Sequence, residues 1–178
     1  MMLTDGAISP KSGGDSIAFF CSRSCPGDVI LRAQDWANVR DTQSPPVVGS
    51  FHTPVERDVL RILLRGGAPV TVVLARAIAG WRPPAPLGSA IRDAVVAGVA
   101  KIVSPFPETY RRTTAASAES RNRHILTLAR TILFAHASPG GKTEALARET
   151  SGQGLTILTF QSPSNFNLTA LGAQIAKF

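Results

Sequence analysis

Little in this chain could staple it or hold a metal. Its 178 residues include two cysteines, Cys21 and Cys25, and three scattered histidines. No second Cys/His pair stands near the cysteines, so neither a zinc site nor any other metal or cofactor is expected. Cys21 ends an apolar run and reads as a small buried residue. Cys25 falls at a helix start, where a thiolate is favoured. No apolar run is long enough to span a bilayer, and no basic-plus-apolar leader opens the chain. A soluble, cytoplasmic protein without membrane contact is therefore the expectation. Aromatic residues make up only 6%, which leaves few rings for stacking. Acidic residues are also short: 12 Asp and Glu stand against 19 Lys and Arg, for a net charge of +7. Such an excess favours anionic partners, nucleic-acid phosphates or nucleotides. Most of the cations are arginine, whose rigid fork suits phosphate better than an ammonium does.

What is present is an alternation of apolar runs and helix-periodic segments. Ile17–Cys21 reads as a buried strand, followed by a helix through Val29, Ala33 and Ala37. Val47–Gly49 is a second strand. Thr53-Pro54-Val55-Glu56 is a capping box opening a helix with Val55, Val59, Ile62 and Leu63 on one face, stopped by Gly66-Gly67. Further strands are expected over 70–75, 100–103, 132–137 and 155–160. Helices are expected over 87–96, 114–130 (the longest), 143–149 and 168–178. Strands apolar throughout and separated by helices specify a parallel sheet covered on both faces. The expected fold is thus α/β: doubly wound, mostly parallel, Rossmann-like, in three α/β/α layers. Residues 1–16 are Gly/Ser-rich and weakly patterned, hence a loose arm before one domain over 17–178. A chain of this size buries about two-thirds of its unfolded surface.

In such a sheet ligands bind beyond the carboxyl ends of the strands, and here those ends are rich in Ser, Gly, Pro and Arg. Ser22-Arg23 leaves the first strand just before a helix, where hydroxyl, helix terminus and guanidinium suit a phosphate. Gly49-Ser50-Phe51-His52 joins the second strand to its capped helix. Gly49 permits close backbone approach to a ligand, and His52 offers a donor. Arg111-Arg112 and Arg121-Asn122-Arg123 form the densest basic cluster. Residues 121 and 123 do not share a helix face, and Asn122 inside a helix implies a specific hydrogen bond. Gly140-Gly141-Lys142-Thr143 opens a helix after the fifth strand as a phosphate nest. It is not a P-loop, because that pattern's first glycine falls on His136, and no glycine dinucleotide fingerprint follows the first strand. Phe51 and Phe106 are the candidate base-stacking rings.

Several of these segments together resemble the Rossmann-like domain of the DNA-processing protein A (DprA/Smf) family. Ser22-Arg23 is similar to the end of that family's Gly-Ser-Arg turn, with Cys21 in place of the glycine. Gly49 to Glu56 resembles its glycine-rich turn, and Ser104-Pro105-Phe106-Pro107 its Ser-Glu-Phe-Pro segment. Arg121-Asn122-Arg123 matches its Arg-Asn-Arg motif, whose arginines help hold DNA phosphates. The resemblance implies binding of single-stranded DNA or a nucleotide, with phosphates at the carboxyl edge of the sheet. The wider superfamily includes lysine-decarboxylase-like phosphoribohydrolases, whose Pro-Gly-Gly loop is similar to Pro139-Gly140-Gly141. That likeness implies the alternative of nucleoside 5′-monophosphate cleavage, with Glu144 or Glu108 at the ribose. A non-catalytic nucleotide-sensing domain is the third reading. A homodimer is also expected, since joining two short grooves raises effective concentration for a long strand. Leu171, Ile175 and Phe178, at helical spacing, are the candidate apolar stripe.

Overall fold

The computed structural model describes residues 15–178. The arm expected over residues 1–16 lies, apart from its last two residues, outside them. Six strands alternate with helices as the pattern requires: β1 (Ile17–Cys21), α1 (Gly27–Asn38), β2 (Val47–Gly49), α2 (Pro54–Gly66), β3 (Val70–Val73), α3 (Gly88–Val96), β4 (Ala100–Val103), α4 (Ala115–Thr127), β5 (Thr131–His136), α5 (Lys142–Thr150) and β6 (Thr156–Thr159). All pairings are parallel. Successive side chains of a strand point to opposite faces, and β1 shows what this does. Phe19 and Cys21 enter the core beneath α1, α2 and α3, where Phe19 stacks on Trp36. Ala18 and Phe20 enter the core beneath α4, α5 and α6 (Phe166–Ala170), where Phe20 stacks on Phe134. A central strand with both faces covered can carry apolar residues at every position, hence the unbroken run in the sequence.

The strand order is β4-β3-β2-β1-β5-β6, with a seventh strand, β7 (Gln174–Ile175), beyond β6. From β1 the chain steps outward to β4, and α4 then carries it back over the sheet to β5 on the far side of β1. The order reverses between β1 and β5. There the loops leaving the two strands diverge to opposite faces and open a crevice at the carboxyl edge.

Two expectations are corrected. The terminal helix over 168–178 does not form. A 3₁₀ turn (Pro163–Asn165) leads into the five-residue α6, and the chain turns at Gly172, whose φ is +92°. β7 then adds to the open edge of β6, where Ala176 N–H finds the Thr159 carbonyl at 2.9 Å. The apolar spacing suited a helix, but the unpaired backbone of β6 supplied a competing partner. The helix over 114–130 is also shorter than expected, 13 residues like α2. At its end the Leu128 N–H tightens onto Ile125, while Thr127 Oγ1 donates to the His124 carbonyl. Other element ends move by a residue or two.

Candidate functional site

At the head of β1 the crevice is built around one carboxylate. Thr53 and Glu56 form the expected capping box at 3.4 Å in both directions. Glu56 does more than cap. It is 2% exposed, and beyond the cap it accepts from Cys21 N–H at 3.1 Å, Ser50 Oγ at 3.0 Å and His52 N–H at 3.0 Å. Burial pushes its carboxyl up, but hydrogen bonding and charge from His52 and the N–H of Cys21 outweigh this. The net displacement is below the ordinary carboxylate range. One anion thus ties the β2–α2 turn to β1. The Ser50 hydroxyl also lies 2.8 Å from His52 Nδ1.

Facing this turn, Ser22 joins the two strands at the switch point. Its N–H donates to the His136 carbonyl at 3.0 Å, and its Oγ accepts from Ser138 N–H at 2.9 Å. Gly140 takes φ +74°, a conformation glycine adopts without strain. Gly141 then caps α5 without a side chain. A Cβ at Gly141 would stand 3.0 Å from the Ser138 carbonyl, a tight contact that favours glycine here. Among the described residues no side chain caps the first N–H groups of α5, the arrangement by which a helix end binds anions.

The third wall is α4, and the helical period sorts its basic triplet. Arg121 turns inward and is 5% exposed. Its Nε and Nη2 both donate to Asn122 Oδ1, at 3.1 and 3.0 Å. Burial lowers its pKa, against the pull of the Glu56 charge. No carboxylate forms a salt bridge with it among the described residues. Arg123 turns outward and pairs with Glu149 at 2.8 and 2.9 Å. Lys142 reaches Glu119 at 3.0 Å.

Together these groups enclose about 510 Å³, lined by Ser22, Arg23, Ser50, His52, Arg121, Asn122, Gly141, Lys142 and Thr143 among others. The structure thus brings most of the expected residues into one place. Arg23 is exposed at its mouth. Four others lie apart. Gly49 is buried beneath Phe51, where a Cβ would meet the ring at 3.2 Å and the Phe19 carbonyl at 3.3 Å, so close packing favours a glycine here. Arg112 is exposed outside the crevice, Arg123 is spent on Glu149, and Phe106 stacks on Tyr110 with centroids 4.9 Å apart. Phe51 is 6% exposed at φ +51°. It serves as a wall rather than a free stacking platform.

The carboxylates expected at a ribose are also placed elsewhere. Glu144 accepts from Asn167 at 2.6 Å and Arg148 at 3.0 Å, and these bonds hold it below the ordinary range. Glu108 is exposed outside the crevice. The residue hidden in the sequence was Glu56, whose capping signature masks its wider role. Interaction with the neighbouring Cys25 thiol, burial and the Glu56 charge push the Cys21 thiol up, and interaction with Cys21 lowers Cys25.

A second, mainly apolar chamber of about 500 Å³ lies at the carboxyl end of β3. It shares Ser50, His52, Ala118 and Arg121 with the crevice.

No family model and no curated protein matches the chain. Solved structures do. DNA processing protein A from Streptococcus pneumoniae superposes with a TM-score of 0.69 at 15% identity, over 91% of this chain and 58% of that one. The Helicobacter pylori protein, studied for its single-stranded DNA binding mode, gives 0.72 at 13% identity, over 93% and 76%. The Moco carrier protein of Chlamydomonas reinhardtii gives 0.54 at 12%, over 89% and 84%. The chain spans less than two thirds of the pneumococcal protein. The likeness is one of fold: a three-layer, Rossmann-like α/β/α architecture shared with these proteins. Among the described residues no helix is long and apolar enough to cross a membrane.

Proposed function

We propose that the crevice between β1 and β5 binds phosphate groups of single-stranded DNA or of a nucleotide. The observation that carries this reading is Arg121. A guanidinium taken out of water costs several kcal/mol unless it is paired, and Asn122 gives this one a single neutral oxygen. An anion in the crevice completes the set, with Ser22, the start of α5 and Arg23 converging on it. Ser22 Oγ accepts from Ser138 N–H and keeps its own proton to donate. The likeness to two DNA processing proteins supports the same reading.

Glycosidic cleavage draws no support from the geometry. Glu56 is saturated with donors, and Glu144 is held by Asn167 and Arg148. Fluorescence anisotropy with a labelled oligonucleotide at several salt concentrations tests the proposal. Affinity should fall steeply with salt, with a log–log slope of about −0.7 per phosphate contacted. Arg23→Ala should reduce both affinity and slope without changing the unfolding midpoint. Absence of binding at low salt, or binding indifferent to salt, would remove the electrostatic case.

A further inference from the structure

We infer that the apolar chamber at the end of β3 receives a nucleobase of the strand whose phosphate lies in the crevice; this rests on the phosphate-binding reading above. The chamber has the size of a small-molecule site. Its walls are aliphatic and aromatic: Leu60, Leu74 and Ile91 from α2, β3's end and α3, with Trp81 and Leu87 from the proline-rich loop between β3 and α3. Trp81 and Leu87 pack only partly into the core, which leaves them surface to offer an occupant.

Around this apolar interior stand cations. Arg57 and Arg61 line it from α2, and Arg76 from the residue after Ala75. Arg61 is offset by Asp58 at 2.9 Å. Arg76 donates only to the carbonyls of Ala77 and Ala79, both at 3.4 Å, and Arg57 forms no salt bridge among the described residues. Arg121 and His52 stand on the wall shared with the crevice. An occupant must therefore be apolar on its faces, compact, and covalently joined to more than one negative charge. A base on a phosphodiester backbone meets all three conditions. The extra arginines favour a strand over a single mononucleotide, because they line the chamber and not the crevice that holds the first phosphate. The apolar walls carry few groups to read a base edge, so base identity is tolerated and stacking supplies the energy.

The two tryptophans make this measurable. Trp36 is 2% exposed, packed on Phe19 in the core, whereas Trp81 lines the chamber. Titration with a thymidine oligonucleotide should quench tryptophan emission with the same midpoint as anisotropy. The quench should vanish in Trp81→Phe, a conservative change in a loop. An abasic oligonucleotide of equal length keeps every phosphate. It should bind roughly 5- to 150-fold more weakly, the equivalent of one lost base stack, and leave emission unchanged. Equal affinity for both oligonucleotides with no quench would overturn the chamber assignment while leaving the crevice reading intact. Failure of both to bind at low salt would overturn the crevice reading and this inference with it.

Discussion

Replacing Arg121 by methionine should make the free protein more stable and its complex weaker. The two effects come from one cause. Arg121 is 5% exposed, and its guanidinium is held by a single amide oxygen that accepts twice. Desolvating a cation costs several kcal/mol, and two charge-assisted bonds sharing one acceptor return only part of that. Methionine keeps the unbranched stem and fills similar space without a charge. The expected gain is about 1–2 kcal/mol. For a chain of this size that is roughly 2–8 °C in unfolding midpoint. Glu56 loses a nearby positive charge in the exchange, but its donors from Cys21, Ser50, His52 and Thr53 remain. In the complex the variant lacks one charge-assisted bond, about 1.5–3 kcal/mol, so affinity should drop roughly 10- to 100-fold. The salt slope should shrink by about 0.7, the share of one phosphate on a single strand. Differential scanning calorimetry without ligand and anisotropy across a salt series measure the two halves separately. A lowered midpoint combined with unchanged affinity would refute the reasoning. Arg121 would then be a structural cation serving Glu56 rather than a ligand group kept ready at a cost.

Glu56→Ala should destabilise the fold by about 3–5 kcal/mol, read from a denaturant midpoint, because it strips the acceptor from buried donors on two segments. Acidification acts on the same group. Since folding holds the Glu56 carboxyl below its ordinary value of 4.5, its share of stability is complete above that pH. It is lost as the pH falls below 4.5 through the folded value. Thermal melts from pH 7 to pH 3 should therefore decline less steeply in Glu56→Gln, which starts lower. Gly141→Ala should weaken oligonucleotide binding by pushing its Cβ toward the Ser138 carbonyl, 3.0 Å away, and displacing the start of α5; unchanged affinity would remove this loop from the proposed site. We further propose a two-fold homodimer through an apolar patch at the β7 edge of the sheet, where Ile175 and Phe178 are exposed. A concentration-independent mass of 18.8 kDa in light scattering would refute it.

The sequence by itself determined the class of fold. Runs such as Ile17–Cys21 and Ile132-Leu133-Phe134-Ala135 are apolar at every position, which only a strand covered on both faces tolerates, and the segments between them carry helical periodicity. It also fixed local ends whose chemistry is local, such as the Thr53–Glu56 cap and the glycine approach to α5. It determined that Arg121 and Arg123 face different ways, because two helical steps turn a side chain about 200°. Which one faces inward was decided by the tertiary structure, since that depends on how α4 crosses the sheet. Strand order was decided there too. Only the placement of β5 beside β1 sets Ser22 against Ser138, 116 positions apart, and lets Glu56 reach the backbone of Cys21 across 35. The fate of residues 168–178 turned on the same kind of contest. Their spacing favours a helix, yet a strand edge with unpaired carbonyls and N–H groups captured Gln174 and Ile175. Local pattern specifies what a segment can become, and the partners available in three dimensions select among those states.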